Sequence, residues 1–182
     1  MVEKQFISAE ELLRDSFLLG HRILESGFKP NYIVGVWRGG TPVGIAVQEL
    51  MEYHGVPTDH ISIRTSSYEG IEKQSDTIRV HGLHYIIENV NADDQLLIVD
   101  DVFDSGRSLD AIINTIKELS RRNTPQTIKV ATVYYKPSKS KVDFVPDYYI
   151  HETDTWLVFP HELQGLSEEE IRANKPAALK GS

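Results

Sequence analysis

Apolar and polar positions along the chain follow two periods, one typical of helices and one typical of buried strands. The first segment has the helical period. Ser8 and Glu11 have the spacing of a capping box, apolar residues recur on one face as far as Leu24, and Gly27 ends the helix. A short β-branched run at 32–36 then predicts a buried strand.

The next segments add a helix and a second strand. The turn at 37–40 contains two glycines, and Thr41 and Pro42 have the residue types of an N-cap and a first helical position. We therefore expect a helix that runs to about His54, followed by a strand at 60–63. A strand, turn, helix and strand in this order are typical of the βαβ unit of a parallel sheet.

The second half repeats this alternation with stronger signals. The run at 95–100 has the best strand pattern in the chain, and a helix with one apolar face is predicted from Ser108. Further strands are expected at 129–135 and 148–150, and a helix start at 167–170. The whole pattern predicts an α/β fold with a doubly wound, mainly parallel sheet.

One stretch, 64–82, interrupts the alternation. It is polar, contains two glycines and shows no sustained period, so we expect a long loop or a loose hairpin. Loops of this length in compact domains are usually functional lids or disordered segments.

Composition narrows the possible functions. The 182 residues suit one domain, and the net charge of −8 argues against a protein that coats nucleic acid or an anionic membrane. The absence of cysteine excludes disulfides, cysteine-zinc sites and thiolate catalysis. No apolar run approaches the roughly 20 residues of a membrane span, and the acidic N-terminal segment is unlike a signal peptide. We therefore expect a cytoplasmic protein.

The segment between the best strand and the best helix carries the most chemistry. It reads Val-Asp-Asp-Val-Phe-Asp-Ser-Gly-Arg-Ser-Leu over 99–109. In an open parallel sheet, ligands bind beyond the carboxyl ends of strands. The turn at 104–108 offers a glycine, two hydroxyls and the unpaired N–H groups of a helix start, which suit a phosphate. Because Asp100 and Asp101 can accept hydrogen bonds from sugar hydroxyls or bind a divalent metal, the segment predicts a sugar phosphate site.

A purely structural interpretation is also available, in which Asp100 and Asp101 end a strand and Asp104 caps a helix. The combination of these features in one short segment favours function. The string resembles the phosphoribosyl pyrophosphate signature of the type I phosphoribosyltransferases, which has several apolar residues, two acids, two variable residues and then Asp-Ser/Thr-Gly. The resemblance implies that phosphoribosyl pyrophosphate is bound by Asp100, Asp101, Asp104, Ser105, Gly106, Arg107 and Ser108.

Other parts of the chain, between about 32 and 162, are similar to the same family. Arg38 and Gly39 lie where the family holds pyrophosphate, although a glycine turn with a solvated Arg would look the same. Ser67 and Tyr68 resemble the Ser-Tyr pair in the flexible loop of the 6-oxopurine branch, which here would span about 64–82. The resemblance implies one domain over 1–182 with a core at about 28–160 and a hood made from the terminal segments.

The C-terminal third resembles the xanthine–guanine type of this branch. In that type a lysine at a strand end meets the purine 6-oxo group and an aromatic residue stacks on the base. Lys136, Trp156 and Leu157 match these positions. The ammonium would donate to O6 and reject an amino group, and an indole face suits a purine. The structural alternative is a solvated Lys136 and a Trp156 buried in the core.

The resemblance implies transfer of the 5-phosphoribosyl group from phosphoribosyl pyrophosphate to a 6-oxopurine, with Mg²⁺ as the cofactor and Asp101 as its ligand. Asp104 would manage a purine proton, and Glu162 is a weaker candidate for a group near the metal. Family members are usually homodimers or homotetramers. Two alternatives remain open, namely transfer to another nucleobase and a regulator of the same fold that binds RNA or a nucleotide.

Overall fold

The computed structural model describes residues 4–68, 77–176 and 179. Within these residues the chain forms eight strands and five helices, separated by turns and short 3₁₀ segments. Their bounds, in chain order, are β1 (Lys4–Phe6), α1 (Ala9–Glu25), β2 (Tyr32–Trp37), α2 (Gly40–Tyr53), β3 (Asp59–Tyr68), β4 (Thr77–His81), α3 (His84–Asn89), β5 (Gln95–Phe103), α4 (Arg107–Ser120), β6 (Thr127–Tyr135), β7 (Tyr148–Glu152), β8 (Trp156–Val158) and α5 (Glu168–Asn174).

Six strands form the main sheet, in the order β4-β3-β2-β5-β6-β7. The pairs from β3 to β7 are parallel, and β4 alone runs antiparallel to its neighbour β3. The predicted α/β fold with a mainly parallel sheet is confirmed. Because β2, β5 and β6 are parallel and adjacent, the loops that follow them meet at one edge of the sheet.

The two faces of β5 explain why helices cover both sides of the sheet. Successive side chains of a strand point to opposite faces. Leu97 and Val99 belong to an apolar cluster with residues of α1 and α2, whereas Leu96 and Ile98 belong to a second cluster with residues of α3 and α4. Burial of alternate side chains on the two faces therefore holds β5 in the centre of the sheet, and this determines where the loop after β5 begins.

The helix starts differ slightly from the prediction. The capping box of Ser8 and Glu11 is confirmed, but α2 begins at Gly40 with Gly39 as its N-cap, so Thr41 and Pro42 are not the cap and the first residue. A Cβ at Gly40 would overlap the carbonyl oxygen of Val99, and the close approach of α2 to β5 explains the earlier start.

The strand and helix at 95–120 also extend beyond their predicted bounds. β5 continues to Phe103 because its pairing with β6 continues to the Phe103–Tyr135 pair, and the acidic pair therefore lies inside the strand rather than at its tip. α4 begins one residue earlier than predicted, at Arg107. Its N-cap, Gly106, has a φ of 76°, a left-handed conformation that favours glycine.

The two ends of the segment at 64–82 are strands. β3 continues to Tyr68 and pairs antiparallel with β4, from Arg64 opposite His81 to Tyr68 opposite Thr77. The prediction of a loop is wrong for these arms, and the alternative of a hairpin holds for them. Residues 69–76 and the side chains of Ser67 and Tyr68 lie outside the described part, so the predicted flexible loop and its Ser-Tyr pair stay a prediction.

A second sheet joins the two terminal segments. β1 and β8 pair in parallel, with Lys4 opposite Trp156 and Phe6 opposite Val158. The sequence pattern predicts none of β1, β8 and α3, whereas the helix start at Ser167 is confirmed by a capping box with Glu170. In the described residues, no helix is long and apolar enough to cross a lipid bilayer.

Candidate active site

The acidic pair of β5 lies at the centre of the site, where Asp101 is buried and Asp100 is partly buried. Asp101 is 8% exposed, and its backbone N–H donates to Oδ1 of Asp100 at 2.9 Å. Burial raises the pKa of Asp101 to about 6. Burial and the charge of Asp101 together raise the pKa of Asp100 well above its ordinary value. Two adjacent carboxylates with restricted access to water favour a cation between or beside them.

The loop after β2 packs directly on this pair. A Cβ at Gly39 would overlap the carboxylate of Asp101, so only glycine allows this approach. Arg38 is exposed, and its backbone carbonyl accepts the N–H of Thr41 at 3.1 Å in the turn that begins α2. The structure therefore packs Gly39 on the acidic pair and places Arg38 next to it in the same loop.

The raised pKa of Asp101 gives a pH-dependent prediction. Between its ordinary value of 3.8 and about 6, the folded protein holds a proton that the unfolded chain has released, so stability falls as the pH rises through this interval. We expect Asp101→Asn to raise the free energy of unfolding of the ligand-free protein by about 1–3 kcal/mol at pH 8, and to change it little at pH 4.

Urea unfolding at the two pH values measures this effect. Asp143→Asn, at an exposed loop position, removes the same charge and should have little effect at either pH. A loss of stability at pH 8 in Asp101→Asn would contradict the account of the buried charge.

The turn between β5 and α4 forms a small cavity of about 90 Å³. Asp100, Asp104, Ser105, Gly106 and Ser108 are among its lining residues. Side-chain hydroxyls and the first N–H groups of α4 suit an anion here. Arg107 begins α4 at the same turn, and its side chain is exposed.

A larger cavity of about 310 Å³ lies beside the first one. Lys136, Trp156 and Leu157 line it, as do residues of the loop after β8. Trp156 is 59% exposed, so the structural alternative of a core tryptophan is wrong. Lys136 is buried and therefore not a solvated lysine, and its Nζ donates to Oδ2 of Asp104 at 3.0 Å.

Asp104 connects the two cavities. It lines both of them, and the ion pair with Lys136 joins the turn after β5 to the end of β6. The structure thus brings together the residues predicted for phosphate and for base.

Sequence reasoning missed several residues around this site. Nε2 of His161 lies 3.7 Å from Oδ2 of Asp101. Nζ of Lys175 is buried and donates to the carbonyl of Phe159 at 2.6 Å. Lys4 lines the larger cavity from β1. No local pattern marks these residues, because each reaches the site through a contact distant in sequence.

Glu162 was a weaker candidate, and the structure places it close to the acidic pair. Its Oε2 accepts a hydrogen bond from the N–H of Phe159 at 2.9 Å, and its charge contributes to the raised pKa of Asp101.

The donor set fits Mg²⁺. Burial raises the pKa of both carboxyl groups, a bound cation would favour their charged forms, and Mg²⁺ prefers such hard oxygen ligands. In the described ranges, no group of three or more acidic, histidine or cysteine side chains is arranged to hold a metal. Mg²⁺ commonly binds through one or two carboxylates together with substrate phosphates, so Asp100 and Asp101 suffice for this mode.

The chain is similar to known phosphoribosyltransferases in sequence and in fold. A xanthine-guanine phosphoribosyltransferase of Desulfotalea psychrophila is 31% identical over 162 residues, which cover 87% of this chain and 86% of the relative. A hypoxanthine-guanine phosphoribosyltransferase of Lactococcus lactis is 28% identical over 179 residues, which cover 96% and 88%. The crystal structure of a purine phosphoribosyltransferase from Pyrococcus horikoshii has a TM-score of 0.68 at 32% identity, with 91% of this chain and 98% of that chain covered.

The family match covers most of the chain. Residues 11–165 match the phosphoribosyl transferase domain, and this range contains both cavities except for Lys4 and Leu166. The chain therefore belongs to the type I phosphoribosyltransferase family, in its 6-oxopurine branch.

Proposed function

We propose that this protein transfers the 5-phosphoribosyl group from phosphoribosyl pyrophosphate to N9 of a 6-oxopurine, releasing pyrophosphate and a nucleoside monophosphate. One observation carries the proposal. Asp104 lines both the phosphate-sized cavity and the base-sized cavity and holds the buried Lys136 between them. A sugar that joins a phosphate to a base would lie across this point.

Each part of phosphoribosyl pyrophosphate has a group of residues that can bind it. The turn at 104–108 supplies amides and hydroxyls for the 5′-phosphate. Asp100 and Asp101 accept hydrogen bonds from the ribose hydroxyls, and Arg38 and the amide of Gly39 meet the pyrophosphate. Asp101 would hold Mg²⁺, which would supply positive charge next to the leaving pyrophosphate.

The reaction needs no protein nucleophile. Breaking the anomeric C–O bond leaves an oxocarbenium-like ribosyl centre, which purine N9 attacks. Positioning and electrostatic stabilisation lower the barrier. Asp104 carries a negative charge at the meeting point of the two cavities, and there it accepts a purine proton or stabilises it through its field.

Lys136 gives the preference for a 6-oxopurine. An ammonium group only donates hydrogen bonds, so it pairs with a 6-oxo group and leaves a 6-amino group unpaired. The exposed indole of Trp156 supplies a stacking face, and the buried Leu157 closes the apolar side of the cavity.

In this proposal the sheet of β1 and β8 forms the hood over the base. β3 and β4 form the two arms of the predicted flexible loop. Apolar side chains exposed on α1 and α2 support a homodimer or homotetramer; they are Leu13, Phe17, Leu18, Ile45 and Tyr53.

A transfer assay tests the function. The protein is incubated with Mg²⁺, phosphoribosyl pyrophosphate and, separately, hypoxanthine, guanine, xanthine, adenine, uracil and orotate, and nucleotides are separated by chromatography. We expect product with 6-oxopurines only. Product with uracil or orotate alone would contradict the base assignment. No product with any base, together with salt-dependent RNA binding, would instead favour a regulator of the same fold.

A further inference from the structure

The base cavity has a second lysine in its wall, on a different sheet from Lys136. Lys4 lies on β1 opposite Trp156 in the β1–β8 register, and it lines the same cavity of about 310 Å³. Lys136 reaches this cavity from the end of β6 in the main sheet. One cavity of purine size therefore has a stacking indole and two ammonium groups that come from different walls.

Lys4 is held in place by the C-terminal helix. Its Nζ lies 2.7 Å from Oε1 of Glu170, and the two side chains are only 26% and 29% exposed. The other carboxylate oxygen of Glu170 accepts the N–H of Ser167 at 2.8 Å, as part of the capping box of α5. A carboxylate that is fixed on both oxygens fixes the ammonium that it binds.

The carboxylates of the cavity already have partners. Asp104 accepts from Lys136, and Glu162 accepts from the N–H of Phe159. An ammonium group has three N–H donors, and Lys4 and Lys136 each use one of them, on Glu170 and on Asp104, so both lysines keep donors for a base.

We propose that Lys4 is a specificity residue that selects a 2,6-dioxopurine, xanthine, over a 2-amino-6-oxopurine, guanine. This rests on the proposed function, in which Lys136 takes the 6-oxo group and N9 faces the ribose. The remaining exocyclic group, at C2, is an acceptor in xanthine and a donor in guanine. Lys4 donates to the 2-oxo group and opposes the 2-amino group. Glu170 acts through Lys4 as a positioning residue.

The test compares xanthine with guanine in four variants and the parent chain. Lys4→Met keeps the aliphatic stem and removes the charge, Lys4→Arg keeps a cation, and Glu170→Gln weakens the orienting ion pair. Lys29→Met removes an exposed lysine and serves as the control. For each protein, kcat/KM is measured for both bases, and the Kd values of xanthosine and guanosine monophosphate are measured by calorimetry.

We expect the parent chain to prefer xanthine, and Lys4→Met to lower the xanthine-to-guanine ratio by about tenfold or more. Lys4→Arg should retain most of the ratio, Glu170→Gln should lower it partly, and Lys29→Met should leave it unchanged. A parent chain that prefers guanine, or a ratio that Lys4→Met does not change, would overturn the proposal while leaving the transferase function standing.

Calorimetry separates this proposal from the proposed function. If no base is turned over, the proposed function fails, and the specificity of the cavity is judged from the nucleotides alone. Tighter binding of xanthosine monophosphate that is lost in Lys4→Met would still support the role of Lys4. Equal affinities for the two nucleotides would overturn it.

Discussion

Asp104→Asn is expected to lower kcat by about 10²–10⁴-fold, the contribution typical of a positioned acid or base. The side chain lines both cavities and lies 3.0 Å from Nζ of Lys136, so its charge is next to the proposed bond change. Asparagine keeps the shape and loses the charge and the proton acceptor. The Kd of phosphoribosyl pyrophosphate should change by less than about tenfold, because other groups of the turn hold the phosphate.

Steady-state kinetics measure the loss of kcat, and calorimetry measures the Kd of phosphoribosyl pyrophosphate. Asp143→Asn is the matched control, since it removes the same charge from an exposed position. Equal losses of turnover and of binding in Asp104→Asn would remove the case for a proton role.

Gly39→Ala is expected to have the other large effect. The added methyl group would overlap the carboxylate of Asp101, so either the loop after β2 or the acidic pair must move. Misplacement of a binding group by about 1 Å commonly costs a factor of about 10². We therefore expect kcat/KM for phosphoribosyl pyrophosphate to fall by about 100-fold or more.

Gly44→Ala provides the comparison for this substitution. The added Cβ would lie 3.6 Å from Cα of Gly35, which is an ordinary contact. Gly44 lies inside α2, the helix whose N-cap is Gly39. Activity should persist in this variant, because alanine also favours the helix. If Gly39→Ala kept parental kcat/KM, the close packing of the loop on Asp101 would have no role in binding.

Several elements of the fold and of the site were predictable because the residues that determine them are close together in the sequence. A capping box at Ser8, a β-branched strand and the string at 99–109 each lie within about a dozen residues. Parallel strand order then places the loops after β2, β5 and β6 at one edge, which brings Gly39, Asp104 and Lys136 to one site.

The features that the sequence does not predict depend on contacts between residues that are distant along the chain. β1 has three residues and no pattern of its own, and it forms only because β8 offers an edge some 150 positions later. Lys4, His161 and Lys175 gain their roles from burial and from partners that their own neighbours in sequence do not reveal. The early start of α2 likewise follows from packing of Gly40 on β5 rather than from capping preference.

Lys136, as proposed above, sets the preference for a 6-oxopurine at this site. Hypoxanthine and adenine differ at C6, so the ratio of their kcat/KM values with phosphoribosyl pyrophosphate tests it most directly. We predict a preference for hypoxanthine of about 10³-fold or more, because a site built around a buried donor rejects a base that leaves it unpaired. Lys136→Met should lower that preference by about tenfold or more. An equal or greater kcat/KM for adenine in the parent chain, or a preference that Lys136→Met leaves unchanged, would contradict the account.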